Sequence, residues 1–302
     1  MQLLRGLTRG VESLAISPDS RFVVATSWWG GCSVWDLDDA KPKPRPLPPA
    51  DDDFSKPRFL SPVHFLVCVG EQWWRHDLAA GTQSEVALPT NVLPDFAIAH
   101  PSGNLFKTIS PSFRRVVTVT LTESGLKTVG QPFRPPDYPS LIAFDPDGGC
   151  YLLLEGLSKY TTYRCHLRDT ASDRIVTTFA HPEGRPFQIN DTWRFTPDGR
   201  RLFVMSRDCV TVCDCEAGGP PILTFARRRA SQFQALAVHP DGRRVATVED
   251  HRTVTLRDAD TLQPLRSYDF AMPRITCVAF TPDGTRCVIG NSRGKVLLFD
   301  VD

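Results

Sequence analysis

The sequence predicts an all-β protein of seven successive four-stranded antiparallel repeats. Three observations predict it. A turn tetrapeptide recurs along the chain. Alternating apolar runs flank each copy. A second marker, a bulky or apolar residue beside Asp, closes the third strand of a repeat. Composition agrees, with 26 Pro and 20 Gly among 302 residues. Apolar runs of helical period behind helix start signals are scarce. Short runs rich in Val, Ile, Leu, Phe and Thr, broken by turn residues, fill the chain.

The tetrapeptide copies are Ser17-Pro18-Asp19-Ser20, His100-Pro101-Ser102-Gly103, Asp145-Pro146-Asp147-Gly148, Thr196-Pro197-Asp198-Gly199, His239-Pro240-Asp241-Gly242 and Thr281-Pro282-Asp283-Gly284. Pro presets φ for the first central position, Asp accepts the second, and Gly supplies a left-handed residue from which an antiparallel strand continues. Each copy therefore joins strand a to strand b of a repeat, as between Leu14-Ala15-Ile16 and Phe22-Val23-Val24-Ala25.

Most copies stand about 42 to 51 residues apart, but the step from Pro18 to Pro101 is double, so one repeat lacks its turn. The second marker recovers it. Trp35-Asp36, Trp74-Arg75-His76-Asp77, Leu167-Arg168-Asp169, Val212-Cys213-Asp214, Leu256-Arg257-Asp258 and Phe299-Asp300 each end a strand c, and the copy at Asp77 fills the gap. In the third repeat the marker is degraded, leaving the strand pattern Val116-Val117-Thr118-Val119. Seven repeats result, beginning near residues 9, 53, 90, 134, 181, 227 and 271.

A period of about 40 to 45 residues, four strands per repeat and a terminal Trp-Asp-like pair resemble the WD-repeat family over essentially the whole chain. The resemblance implies a seven-bladed β-propeller, a single domain over 1–302, that binds partners and is not an enzyme. The sequence departs from the family at several points. Arg9-Gly10 stands where a Gly-His pair is expected, and only Trp35-Asp36 matches the closing pair literally. The Asp of the b–c turn is replaced by Trp29, His251 and Arg293 in repeats one, six and seven. The family's polar network is therefore expected to be lost, with the blades held mostly by apolar packing.

The last repeat supplies strands a, b and c only. The stretch Gln2–Leu7 is left over at the other end and is expected to pair near Lys295–Phe299, completing the last blade and closing the ring. The proline-rich stretch 41–57 reads as a stiff edge strand, because Pro cannot donate to an inner ladder. The competing reading is a polyproline-II ligand at Arg45-Pro46-Leu47-Pro48-Pro49.

A formal net charge of +1 provides no field to draw in nucleic acid or an anionic membrane surface. No apolar run reaches the roughly 18 residues of a membrane helix, and the first residues do not form a signal peptide. Nine scattered cysteines read as reduced thiols of a cytoplasmic protein, a monomer on its own.

No catalytic set, metal site or cofactor site is expected. His100 and His239 share a turn slot with Ser, Asp and Thr, which points to a structural cap. His64, His76, His166 and His181 stand alone. Cys209, Cys213 and Cys215 alternate on one strand, but same-face neighbours there lie about 6.6 Å apart, and no two-residue knuckle or fourth ligand accompanies them.

In this architecture the d–a and b–c connections share one end of each blade. The a–b turns are alike and read as structural, so recognition is expected at the variable d–a and b–c end. Candidates there are Trp28 and Trp29 in the first b–c turn, Tyr138, Arg185 with Phe187, Arg227-Arg228-Arg229 with Phe233, and Met272 with Arg274. The expected partner is a protein or peptide. Two other classes stay open: a small-molecule binder or hydrolytic enzyme using the central channel, marked by acids or histidines converging from several blades, and a nucleic-acid binder, marked by steep salt dependence.

Overall fold

A computed structural model describes residues 1–27, 31–47, 56–69, 72–136, 138–156, 163–180, 192–226 and 232–301. Within them the strands form seven four-stranded sheets, each antiparallel between sequence neighbours. Blade one is Val11–Ile16, Phe22–Ser27, Gly31–Asp36 and Arg45–Leu47. Blade two is Arg58–Phe59, His64–Val69, Gln72–Asp77 and Thr82–Val86. Blade three is Leu93–Ala99, Leu105–Ile109, Val116–Thr122 and Gly125–Phe133. Blade four is Tyr138–Phe144, Cys150–Gly156, Tyr163–Asp169 and Ile175–Phe179. Blade five is Thr192–Phe195, Arg201–Met205, Cys209–Asp214 and Leu223–Ala226. Blade six is Phe233–Val238, Arg244–Glu249, Thr253–Asp258 and Pro264–Asp269. The last blade is Ile275–Phe280, Arg286–Asn291, Val296–Asp300 and, from the other end of the chain, Gln2–Leu4.

The chain divides into two compact units, Met1–Glu85 with Arg227–Asp302, and Val86–Ala226. In the first unit the N-terminal strand pairs Gln2 with Leu298, Leu3 with Leu297 and Leu4 with Val296. Leu4 is fully buried among Val23, Ala25, Trp35, Val288 and Leu298. The expected closing strand is present, three residues long. Gly10 meets the b–c turn of the last blade so closely that a Cβ there would lie 2.9 Å from the Ser292 carbonyl oxygen. That contact accounts for glycine where the family pattern has Gly-His.

Within each unit the apolar cores lie between successive blades. One joins Val248, Val254 and Leu256 of blade six to Ile275, Ile289 and Phe299 of the last blade. In the second unit, Leu152, Leu154 and Cys165 of blade four pack on Trp193, Leu202 and Cys213 of blade five. Inner strands are buried on both faces, as in Phe22–Ser27, whereas outer strands such as Thr82–Val86 face water along most of their length.

The a–b turns combine two hydrogen-bonding schemes. Where slot one is Ser, Thr or Asp, its side chain accepts the backbone N–H five residues on: Phe22 to Ser17 at 2.8 Å, Arg201 to Thr196 at 3.0 Å and Cys150 to Asp145 at 3.0 Å. Where slot one is His, Nδ1 accepts the N–H two residues on, and Nε2 donates to the Gly carbonyl of the next blade's turn. His100 reaches Gly148 at 3.2 Å, and His239 reaches Gly284 at 2.8 Å. The two histidines thus cap their own turns and clasp the neighbouring blade. Ser20 serves the same end by accepting Asp283 N–H at 3.1 Å.

Expectation and structure differ on what holds the blades. The apolar cores are present, but charged groups are buried beside them. In blade six, Arg257 donates to Glu249 at 2.6 Å and to the Leu262 carbonyl at 2.8 Å. In blade four, Arg168 donates to Glu155 and to the Asp173 carbonyl. The side chains of both pairs are 7% exposed or less. Both arginines precede the strand-closing Asp, the slot that Trp35 fills in blade one. Lys107 of blade three, 1% exposed, bridges to Asp173 of blade four at 2.6 Å and lies over the Tyr151 ring. The lost Asp of the b–c turn is compensated from the end of strand b: Asn291 Oδ1 accepts from Arg293 and Lys295 N–H, both at 2.9 Å.

The proline-rich stretch is an edge strand as far as it is described. Leu47, Pro46 and Arg45 pair with Cys32, Ser33 and Val34, and the Arg45 guanidinium donates to the Leu78 carbonyl. Three residues of the alternative ligand motif are thereby committed to a ladder.

His76 occupies the same pre-Asp slot in blade two. It is buried and stacked on Phe65 with ring centroids 4.8 Å apart. Burial, with help from Arg45, lowers its pKa from 6.5 to about 4. Above pH 6.5 the ring is neutral in both folded and unfolded chains. As pH falls from 6.5 towards 4, the unfolded chain takes up a proton that the folded one refuses. Stability is therefore lost across that window, levelling near about 3 kcal/mol. His76→Phe keeps the stack and removes the proton site. Denaturant melts at pH 7 and 4.5 are expected to show a smaller acid loss for the variant, by about 2–3 kcal/mol. Equal losses in both proteins would refute the assignment.

Candidate functional site

Most of the expected recognition residues lie outside the described residues: Trp28, Trp29, Arg185, Phe187, Arg227, Arg228 and Arg229, as does His181. The rest are placed. Phe233 is 3% exposed at the start of strand a of blade six, so it serves the core and cannot meet a partner. Met272 packs half-buried against the core between blades six and seven. Arg274 is exposed and donates to Gln234 at 2.7 Å. Tyr138, the first residue of strand a of blade four, is 40% exposed.

A candidate site is built in the second unit from three stretches of backbone. Strand a of blade three contributes Phe96, its b–c turn contributes Phe113 and Arg114, the connection into blade four contributes Arg134, Pro135 and Pro136, and strand a of blade four opens with Tyr138. An open cleft of about 160 Å³ is lined by Arg114, Arg134, Pro135, Pro136 and Tyr138. The Arg114 guanidinium lies 5.7 Å from the Tyr138 ring centre. Both arginines are exposed, and neither has a carboxylate within ion-pair distance among the described residues. Phe113, which precedes Arg114 in the chain, and Phe96, 43% and 39% exposed, meet edge to face at 5.3 Å.

Local chemistry explains how the turn presents these groups. Ser110-Pro111-Ser112-Phe113 repeats the form of the a–b tetrapeptide on the opposite end of the blade. Phe113 N–H donates to the Ser110 carbonyl at 2.8 Å, as Gly103 does to His100. Phe113 occupies the left-handed slot at φ 56°, where the a–b turns mostly have Gly. A bulky residue there costs of the order of 1 kcal/mol, and its ring faces water. Strain and exposure together mark a side chain kept for contact. The Ser-Pro-Ser-Phe turn was the sequence signal for this residue.

Cys150, Cys165, Cys213 and Cys215 share the core between blades four and five. Burial raises Cys213 and Cys215 to about 12 and Cys150 to about 11. They stay protonated at neutral pH, and metal binding needs thiolate. Among the described residues no three acidic, His or Cys groups are arranged to hold a metal.

The described strands and comparisons with known proteins agree on the architecture. A crystal structure of the Myceliophteria thermophila Cps50 (Swd1) β-propeller domain aligns over 100% of this chain and 99% of that one, with a TM-score of 0.77 at 16% identity. A sequence profile of the WD domain, G-beta repeat, matches residues 1–36 and 263–300. The chain folds as a β-propeller. The stretches that match the WD repeat include the one literal Trp-Asp pair and the N-terminal strand with the blade it completes. No curated protein matches the sequence.

Proposed function

We propose that this WD-repeat propeller is a non-catalytic scaffold that recognises a protein or peptide partner at the end carrying the d–a and b–c connections. WD-repeat propellers are in general protein-interaction scaffolds, and a fold alone leaves the site to be argued from residues. The observation that carries the reading is the exposed cluster of Phe96, Phe113, Arg114, Arg134 and Tyr138 at that end of blades three and four. Aromatic and Arg side chains are the residue types that concentrate binding energy at interfaces. Trp28, Trp29 and Arg227–Arg229, expected on connections of the same kind, lie outside the described residues.

Affinity purification from the native cell tests this with two variants. Arg114→Ala with Tyr138→Ala alters the proposed end, and Arg200→Ala with Arg243→Ala alters the a–b turn end. The first is expected to lose partners that the parent and the second retain. Retention by the first and loss by the second would place recognition at the opposite end.

A further inference from the structure

We infer that the cleft between Arg114 and Arg134 is a receptor for a peptide carboxylate side chain, with an apolar neighbour of that side chain seated on Phe113 and Phe96. This rests on the scaffold reading above and names the ligand chemistry of the same site.

The argument begins with what the lining can offer. Arg carries five N–H donors and no acceptor. Pro135 and Pro136 have no backbone N–H and present apolar rings. The Tyr138 ring is covered on one face by the Arg114 guanidinium, which it holds in place. The cleft therefore presents donors of positive charge against an apolar wall. A ligand that satisfies it brings acceptors and negative charge, and the paired oxygens of a carboxylate match the planar guanidinium fork.

Size narrows the class. At about 160 Å³ the space is well below that of a cofactor or nucleotide pocket, and it is open on one side. It admits one side chain delivered from outside. The exposed Phe pair adjoins it through the Phe113–Arg114 peptide bond, and consecutive Cα atoms lie about 3.8 Å apart. An extended segment advances about 3.3 Å per residue, so acidic and apolar side chains one or two positions apart reach both features together. The strained backbone of Phe113 has no role in the core, since its ring is exposed.

The test uses the full chain and fluorescein-labelled peptides in which a Glu-Phe-Glu core is flanked by Gly-Ser spacers. Controls carry Gln-Phe-Gln, Glu-Ala-Glu and phosphoserine-Phe-phosphoserine. Fluorescence anisotropy is expected to show Glu-Phe-Glu binding at least about tenfold tighter than Gln-Phe-Gln, weakening as salt rises. Arg114→Ala with Arg134→Ala should erase that preference. Phe113→Gly should erase the preference for Phe over Ala while melting within about 2 °C of the parent, because Gly relieves the left-handed strain.

Equal binding of the Glu and Gln peptides, no binding at all, or preferences unchanged in the variants would overturn the inference. Binding of the phosphoserine peptide alone would overturn the carboxylate assignment. Partners captured by the parent under any of these outcomes would leave the scaffold reading standing.

Discussion

Removing residues 1–8 is expected to lower the melting temperature by about 10 °C or more, or to leave the protein insoluble. The deletion takes away Leu4 and Leu7, 0% and 8% exposed, from the core shared with Val23, Trp35 and Leu298. Each buried leucine contributes about 2–3 kcal/mol. It also strips the strand ladder from Val296–Leu298 and the Arg5 carbonyl from the Trp35 indole N–H, bonded at 3.1 Å. The sum exceeds about 5 kcal/mol, comparable with the whole stability of many domains. Leu4→Asp isolates the apolar part and should reproduce most of the loss. Differential scanning calorimetry of the truncated chain decides the matter. A shift of only one or two degrees would show that the strand contributes little.

Arg257→Leu is expected to destabilise by about 3–5 kcal/mol, more than the side chain's packing alone would suggest. The reason is the group left behind. Glu249 is buried, and it would lose the guanidinium that bonds it at 2.6 and 3.1 Å. Thr247 and the Leu262 carbonyl would lose their bonds from the same guanidinium. The double variant Arg257→Leu with Glu249→Leu should recover a large part of the loss, because no uncompensated charge then remains. Urea melts of the two singles and the double form a double-mutant cycle. A double variant as unstable as the sum of the singles would mean that the two side chains act separately.

The fold was legible in the sequence because its signals are local. The Pro-Asp-Gly turns, the strand-closing pairs such as Leu256-Arg257-Asp258 and the spare N-terminal stretch each act through their own few residues. The buried charges were not legible. Glu155 and Arg168 stand on adjacent strands of one blade, and their pairing depends on which face each strand turns inward. Read along the chain, they are two ordinary polar residues of the kind found on solvated strands. Lys107 is harder still, since its partner Asp173 belongs to the next blade.

The site was legible in part, for the same reason. Tyr138 stood out as an aromatic where the connection from blade three enters strand a of blade four. Phe113 passed unnoticed because its turn was sought only between strands a and b. Phe233 was misplaced because an aromatic beside an arginine run resembles a surface anchor. It is the first residue of a strand whose burial starts at once.

The pairing of residue 4 with residue 296 also sets a clock. At about 5–20 residues per second, the ribosome adds the intervening stretch of about 290 residues in about 15–60 seconds. Throughout that interval Leu3 and Leu4 have no strand to join, and the first blade lacks the neighbour that covers Val23 and Trp35. The nascent chain therefore exposes its first apolar surface longest. Factors that hold unfinished chains would find that surface in the N-terminal strand, and a slow codon anywhere in the intervening message would prolong its exposure by its own delay.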